Sequence, residues 1–247
     1  MNYAVRQGYL GRNPTELVDA PPPVKRLIRT LTPAEVAILF ETAQDNKYYP
    51  VIYTAVNTGF LQAELLGLRW RDIDLDMLSI SVSQVLYKGH GVCEFKEPKA
   101  EHSRRRVAMT LKLALFLKVY KLERELLGML NLDSLVFSNL DNNPIDPSVL
   151  SHDFVKIVKC AGLENISFHD LKHTFASFML LRGAKPKVTS EALGHSSVAF
   201  TMDTYSHIIE GMQSDAMALL NEVLPVGVSR KNNANLTQVL PKIGVNN

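Results

Sequence analysis

One stretch of this chain, LSISVSQVLY at residues 78–87, alternates apolar and polar residues with the period of a strand. Period-two alternation throws successive side chains to opposite faces, whereas apolar spacing of three and four builds one face of a helix. Gly89 and Gly91 then mark a turn into a second strand, and Arg105 to Met109 can form a third. On either side the apolar spacing is helical. Thr32-Pro33-Ala34-Glu35 forms a capping box with proline at the first helical position, opening a helix that carries Val36, Leu39 and Phe40 inward. Further helices are predicted over about 50–57, stopped at Gly59, and over about 63–68, 110–128, 147–161, 169–182, 187–193 and 208–223. The predicted fold class is therefore mainly α with a small antiparallel β-sheet.

The opening MNYAVRQGYLGRNP reads as a helix tail running into a Gly-Arg-Asn-Pro stop, and Pro21, Pro22 and Pro23 stiffen the segment after it. Residues 1–30 are thus expected to be the end of a missing domain plus a linker, 31–224 one compact domain, and 225–247 a polar, Asn-rich flexible tail. With 46% hydrophobic residues the central part has enough apolar surface for a core. No run approaches the ~20 apolar residues of a membrane helix, and the start lacks the layout of a signal peptide, so the expectation is a cytoplasmic location and no membrane partner. Cys93 and Cys160 stand alone and carry no functional reading.

Twenty-seven Lys+Arg against 25 Asp+Glu leave a net charge of +2, too little to announce a nucleic-acid partner. Local clusters carry more information. Lys25, Arg26 and Arg29 form one; Lys96, Lys99, Arg104, Arg105 and Arg106 form a denser one in or beside the expected hairpin. Such a run is either a solvated face or a DNA-contacting one.

Three segments contain side chains suited to chemistry. FHDLKHTFAS puts His169, Lys172 and His173 at i, i+3 and i+4, on one face of a helix. They can be packed histidines, half of a zinc helix resembling HExxH with Asp170 in place of the glutamate, or part of a proton-handling site. EALGHSSVAFTMDTYSH places His195 after a helix and a glycine, with Tyr205 ten residues on. That tyrosine can be a core aromatic or a nucleophile. TGFLQAELLGLRW, residues 58–70, holds Glu64, Arg69 and Trp70.

Together and in this order, the segments resemble the tyrosine recombinase (phage integrase) family across about residues 31–220. That family has a block like TGxRxxELLxLxWxDI, a lysine on a hairpin, HxLRH, LGH and a late tyrosine. Here the counterparts are TGFLQAELLGLRWRDIDL, KEPKAEHSRRRVAM aligning Lys99, HDLKH, LGH and the tyrosine of MDTYSH. The resemblance implies the family's catalytic-domain fold and a preceding core-binding domain. It also implies transfer of a phosphodiester of double-stranded DNA to a tyrosine, without metal or cofactor, within a tetrameric synapse of recombinase subunits. Such proteins serve site-specific recombination or integration of mobile elements, phages among them.

Carried onto this sequence, Tyr205 would attack the scissile phosphorus, Lys99 would protonate the leaving oxygen, and His169 and His195 would move protons or bind phosphate. Glu64 would support the site, and Lys96, Arg104, Arg105 and Arg106 would contact DNA. The two family arginines that bind nonbridging oxygens are replaced by Leu61 and Lys172. Lysine keeps the charge without the bidentate fork, and leucine keeps neither. The alternative expectation is accordingly a catalytically impaired DNA-binding relic or regulator with the same fold.

Overall fold

The computed structural model describes residues 1–18, 28–89, 91–98, 103–129 and 131–206. Lys25, Arg26, Lys99, the three consecutive prolines, the helix expected at 208–223 and the tail from 225 lie outside the described residues. Helix α1 spans Asn2–Arg6, with a 3-10 turn after it at Pro14–Leu17. The compact part then begins with α2, Pro33–Ala43, whose Thr32–Glu35 capping box is formed in both directions: Glu35 N–H donates to Thr32 Oγ1 at 3.2 Å and Thr32 N–H to Glu35 Oε2 at 2.8 Å. Val36 and Leu39 are buried, with Phe40 packed at the edge of the core.

Helix α3, Tyr49–Thr58, ends at Gly59 in the left-handed region, φ 64°. A β-carbon on Gly59 would lie 2.4 Å from Phe175 Cδ1, so glycine there serves both the turn and the close packing of α3 on a later helix. Next come the short helix α4, Gln62–Gly67, and a 3-10 turn at Trp70–Asp72.

The β region departs from the sequence expectation. Residues 78–87 are not one strand but two, β2 (Ser79–Ser81) and β3 (Val85–Gly89), in different sheets. Strand β1 (Ile73–Asp74), β2 and β5 (Arg106–Ala108) form a three-stranded antiparallel sheet, while β3 pairs with β4 (Val92–Lys96) as a separate hairpin. The interruption at 82–84 has side-chain causes. Ser83 Oγ takes a hydrogen bond from Arg69 at 2.8 Å and donates one to Asp72 at 2.6 Å, and Gln84 Nε2 donates to the Gly67 carbonyl at 2.8 Å. Those bonds draw the chain onto α4 and break the ladder, which an alternation pattern cannot register.

Helices α5 (Leu111–Leu126), α6 (Pro147–Cys160), α7 (Asp170–Leu181) and α8 (Pro186–Leu193) agree with the sequence to within a few residues. A short helix not anticipated, α9 (Val198–Thr204), comes after them; its N-cap Ser197 accepts from Phe200 N–H at 3.2 Å. One large core unites α2 to α7 and the sheets. A smaller cluster, Ala176, Leu180, Leu193 and Tyr205 with Phe175 against it, joins α7 to α8 and α9.

Candidate active site

The candidate residues converge where that small cluster meets the C-terminal end of α8. Tyr205, just past α9, has no solvent exposure, and its hydroxyl lies 2.7 Å from His173 Nδ1. The sequence places His173 on the right helical face but gives it no role beside Tyr205; the contact links positions 32 apart in the chain, and spacing alone does not show it. Burial lowers the His173 pKa to about 4, helped by nearby His169 and Lys172. At neutral pH the imidazole is therefore uncharged and can accept the phenolic proton at Nδ1. Burial also pushes the Tyr205 pKa well above the ordinary phenol value, so the resting hydroxyl is protonated.

His195 comes after α8 and Gly194, its Nδ1 2.7 Å from Thr201 Oγ1 on α9. Burial and the neighbouring Lys172 lower its pKa to about 4. Lys172 is buried, with Nζ donating to the Leu193 carbonyl at 2.8 Å. Its pKa falls to about 8, because burial outweighs the attraction of Glu64. His169 sits at the N-cap of α7, exposed, its ring edge-on to His173 at 4.9 Å. His169 and His173 line an open groove of about 910 Å³ together with Arg29, Ser167 and Asp170. The described residues contain no group of three or more metal-ligating side chains, and His173 Nδ1 is committed to Tyr205.

Leu61 is the N-cap of α4, partly buried and without a side-chain capping bond; its N–H donates to Glu64 Oε2 at 2.7 Å. Glu64 is itself buried, and Arg105 grips it with both nitrogens of its fork, at 2.6 and 2.9 Å. This corrects the surface reading of Arg105. Its side chain is only 7% exposed, directed inward under Gly194 and over the Phe60 ring. Arg104, Arg106 and Lys96 do face solvent: Arg104 pairs with Glu97, Arg106 with Asp74 at 3.1 Å, and Lys96 with Glu94 at 3.0 Å. A period-two reading of Arg104-Arg105-Arg106 would have separated them, since Val82 N–H bonds the Arg105 carbonyl at 2.9 Å and so extends the β2–β5 ladder.

A concavity of about 1040 Å³ between Tyr48, Tyr49, Phe116, Tyr120 and Arg124 contains none of these groups. Of the candidate groups, His169 and His173 instead line the open groove beside α7, while Tyr205 and Lys172 lie buried behind it. Residues 29–211 match the phage integrase family.

The chain belongs to that family.

It is similar to a tyrosine recombinase XerC-like protein of Caldanaerobacter subterraneus subsp. tengcongensis, 31% identical over 90% of this chain and 63% of the relative. It is 29% identical to the ICEBs1 integrase of Bacillus subtilis over 90% of this chain and 62% of that protein, so the chain spans less than two thirds of these relatives. Among solved structures, the Tn1549 transposon integrase in complex with transposon right end DNA superposes with a TM-score of 0.71, covering 89% of this chain and 75% of that one at 21% identity. XerA recombinase superposes with a TM-score of 0.61 over 80% of this chain and 66% of that one, at 24% identity. These neighbours identify the fold as the tyrosine recombinase catalytic domain. No helix among the described residues is long and apolar enough to cross a membrane.

Proposed function

We propose that this chain is the catalytic part of a DNA breaking-rejoining recombinase of a mobile element, acting on double-stranded DNA alongside other copies in a synapse. Family membership supports this, and the observation that carries it is the 2.7 Å contact between Tyr205 and His173 within a cluster that also holds His195 and Lys172. In the reaction, Tyr205 Oη bonds to the scissile phosphorus while the P–O5′ bond breaks, giving a 3′-phosphotyrosine and a free 5′-hydroxyl. The phenolic proton leaves to a neighbouring base, and Lys99 is the proposed donor to the 5′ oxygen. Attack by another strand's 5′-hydroxyl reverses the step, so no nucleotide energy is consumed. Lys96, Arg104 and Arg106 are proposed DNA contacts on the exposed edge. A cytoplasmic location goes with this reading.

A specific observation favours a second reading, in which the chain binds DNA but joins it poorly. The Leu61 side chain offers the phosphate no donor, and Lys172 Nζ directs one of its N–H groups to the Leu193 carbonyl. If a lost clamp costs what a lost oxyanion donor does, roughly 3–4 kcal/mol, chemistry slows by about 10²- to 10³-fold. Affinity spread over many phosphates suffers far less. Incubation with a suicide DNA substrate and a denaturing gel tests both readings. A covalent adduct that disappears in Tyr205→Phe supports the enzyme; an adduct only after Leu61→Arg and Lys172→Arg identifies a disabled copy. No adduct even then would refute the catalytic reading.

A further inference from the structure

Arg105 occupies an unusual position for a member of a basic cluster. A buried ion pair is tolerated only when its hydrogen bonds are saturated, because desolvating two charges costs more than a poorly formed pair returns. Here saturation is nearly complete. Two nitrogens grip Glu64, Nε donates to the Ala192 carbonyl at 2.6 Å, and the guanidinium carbon sits 5.0 Å from the centre of the Phe60 ring.

The Ala192 bond reaches the turn that carries His195. Helix α8 ends in a Schellman motif: Gly194 N–H bonds the Glu191 carbonyl at 3.1 Å and His195 N–H the Ser190 carbonyl at 3.0 Å. That leaves the carbonyls of Ala192 and Leu193, at the negative end of the helix, without backbone donors. Arg105 Nε takes the first and Lys172 Nζ the second, at 2.8 Å. All four terminal carbonyls are thereby satisfied, two by the turn and two by cations from α7 and from the segment before β5. Gly194, at φ 66°, leaves space for this arrangement; a β-carbon there would lie 2.8 Å from Arg105 Nη1.

We infer that Arg105 is a positioning residue of the site, locking α4 through Glu64 to the end of α8 so that His195 is held in place before DNA arrives. This rests on the recombinase reading for its catalytic consequence. It also gives the Leu61 corner a guanidinium, although the fork is spent on Glu64 and not on substrate.

The test uses the full chain carrying Arg105→Lys, which keeps the charge but loses the fork and the Ala192 bond, and Arg105→Met paired with Glu64→Leu, which removes both charges. Circular dichroism and cooperative urea unfolding establish that each variant is folded. Imidazole NMR titration then tracks His195, assigned through His195→Asn. The groups facing His195 are Lys172, His173, Arg105 and His169. In the charge-free pair the His195 pKa is expected to rise from about 4 toward the ordinary value, as the imidazole gains water and loses a neighbouring cation. In a Leu61→Arg, Lys172→Arg background, Arg105→Lys should lower the yield of covalent adduct by at least about tenfold, as a misplaced catalytic group does. DNA affinity should keep its salt dependence. An unchanged His195 titration in both folded variants overturns the inference. So does a salt slope reduced by about one on loss of Arg105, which would make it a phosphate contact. Absence of adduct in every background with Arg105 intact refutes the recombinase reading alone, while the His195 titration still decides the role of Arg105.

Discussion

The two sides of the site are built to different standards. On the proposed nucleophile side three groups have partners inside the protein: Tyr205 has His173, His195 has Thr201, and Glu64 has Arg105. On the proposed phosphate side stand Leu61, whose side chain has no donor, and Lys172, whose ammonium donates to a backbone carbonyl. The departures from the family pattern thus fall where the partner would be DNA, and the groups that bond to one another keep their geometry. Folding requirements and the requirements of the proposed chemistry are separable here, because a leucine at the N-cap of α4 has no side-chain polar group to strand, whereas loss of a partner on the other side would leave one unpaired.

Four experiments break or sharpen that contrast. The largest effect is expected from Glu64→Ala, which strands the buried Arg105; urea unfolding should show a loss of about 3–5 kcal/mol, and a loss below ~1 would mean the pair does not hold the corner together. Next, Leu61→Arg should raise the adduct yield on a suicide substrate by about 10²- to 10³-fold with little change in DNA affinity, and an equal yield from the parent chain would erase the distinction between the two sides. His173→Phe removes the acceptor from a fully buried hydroxyl, for which roughly 1–3 kcal/mol of destabilisation is expected. The smallest effect belongs to Arg104→Ala. Its exposed ion pair with Glu97 contributes less than ~1 kcal/mol to stability, while the slope of log affinity against log salt should fall by about one.

Acidity probes the same nucleophile side. His173 and His195 both titrate near 4 in the folded chain and near their ordinary value when unfolded. The unfolded chain therefore binds more protons between about pH 6.5 and 4, and stability falls as pH is lowered through that window. The melting temperature should drop there, less steeply in His195→Asn. Lys172 acts in the opposite range. With a folded pKa of about 8 the unfolded chain holds the extra proton between about pH 8 and 10.5, so stability rises with pH across it.

Much of this was legible in the sequence because the signals were local. Thr32-Pro33-Ala34-Glu35 and Gly59 each fix a helix end through their immediate neighbours, and the structure has both as read. The order of motif blocks disclosed the family for the same reason. What escaped depends on distant contacts. The bonds from Ser83 and Gln84 to the segment after α3 cut the expected strand in two, and no alternation pattern contains them. Arg105 looked like its neighbours because charge clustering says nothing of direction. Its partner Glu64 is 41 positions away. The sequence offers His173 as a candidate ligand, but only the fold brings the end of α9 onto α7.

The burial of Tyr205 sets the order of events in anything it does. A hydroxyl that water does not touch is equally out of reach of a phosphorus atom, so the proposed reaction requires the segment around α9 to move before a strand is cut. In the chain without DNA, a tyrosine-modifying reagent such as tetranitromethane should label the exposed Tyr3 and Tyr9 and spare Tyr205. On the proposed recombinase reading, docking then comes before chemistry, and DNA that fails to draw the segment out leaves the encounter without scission.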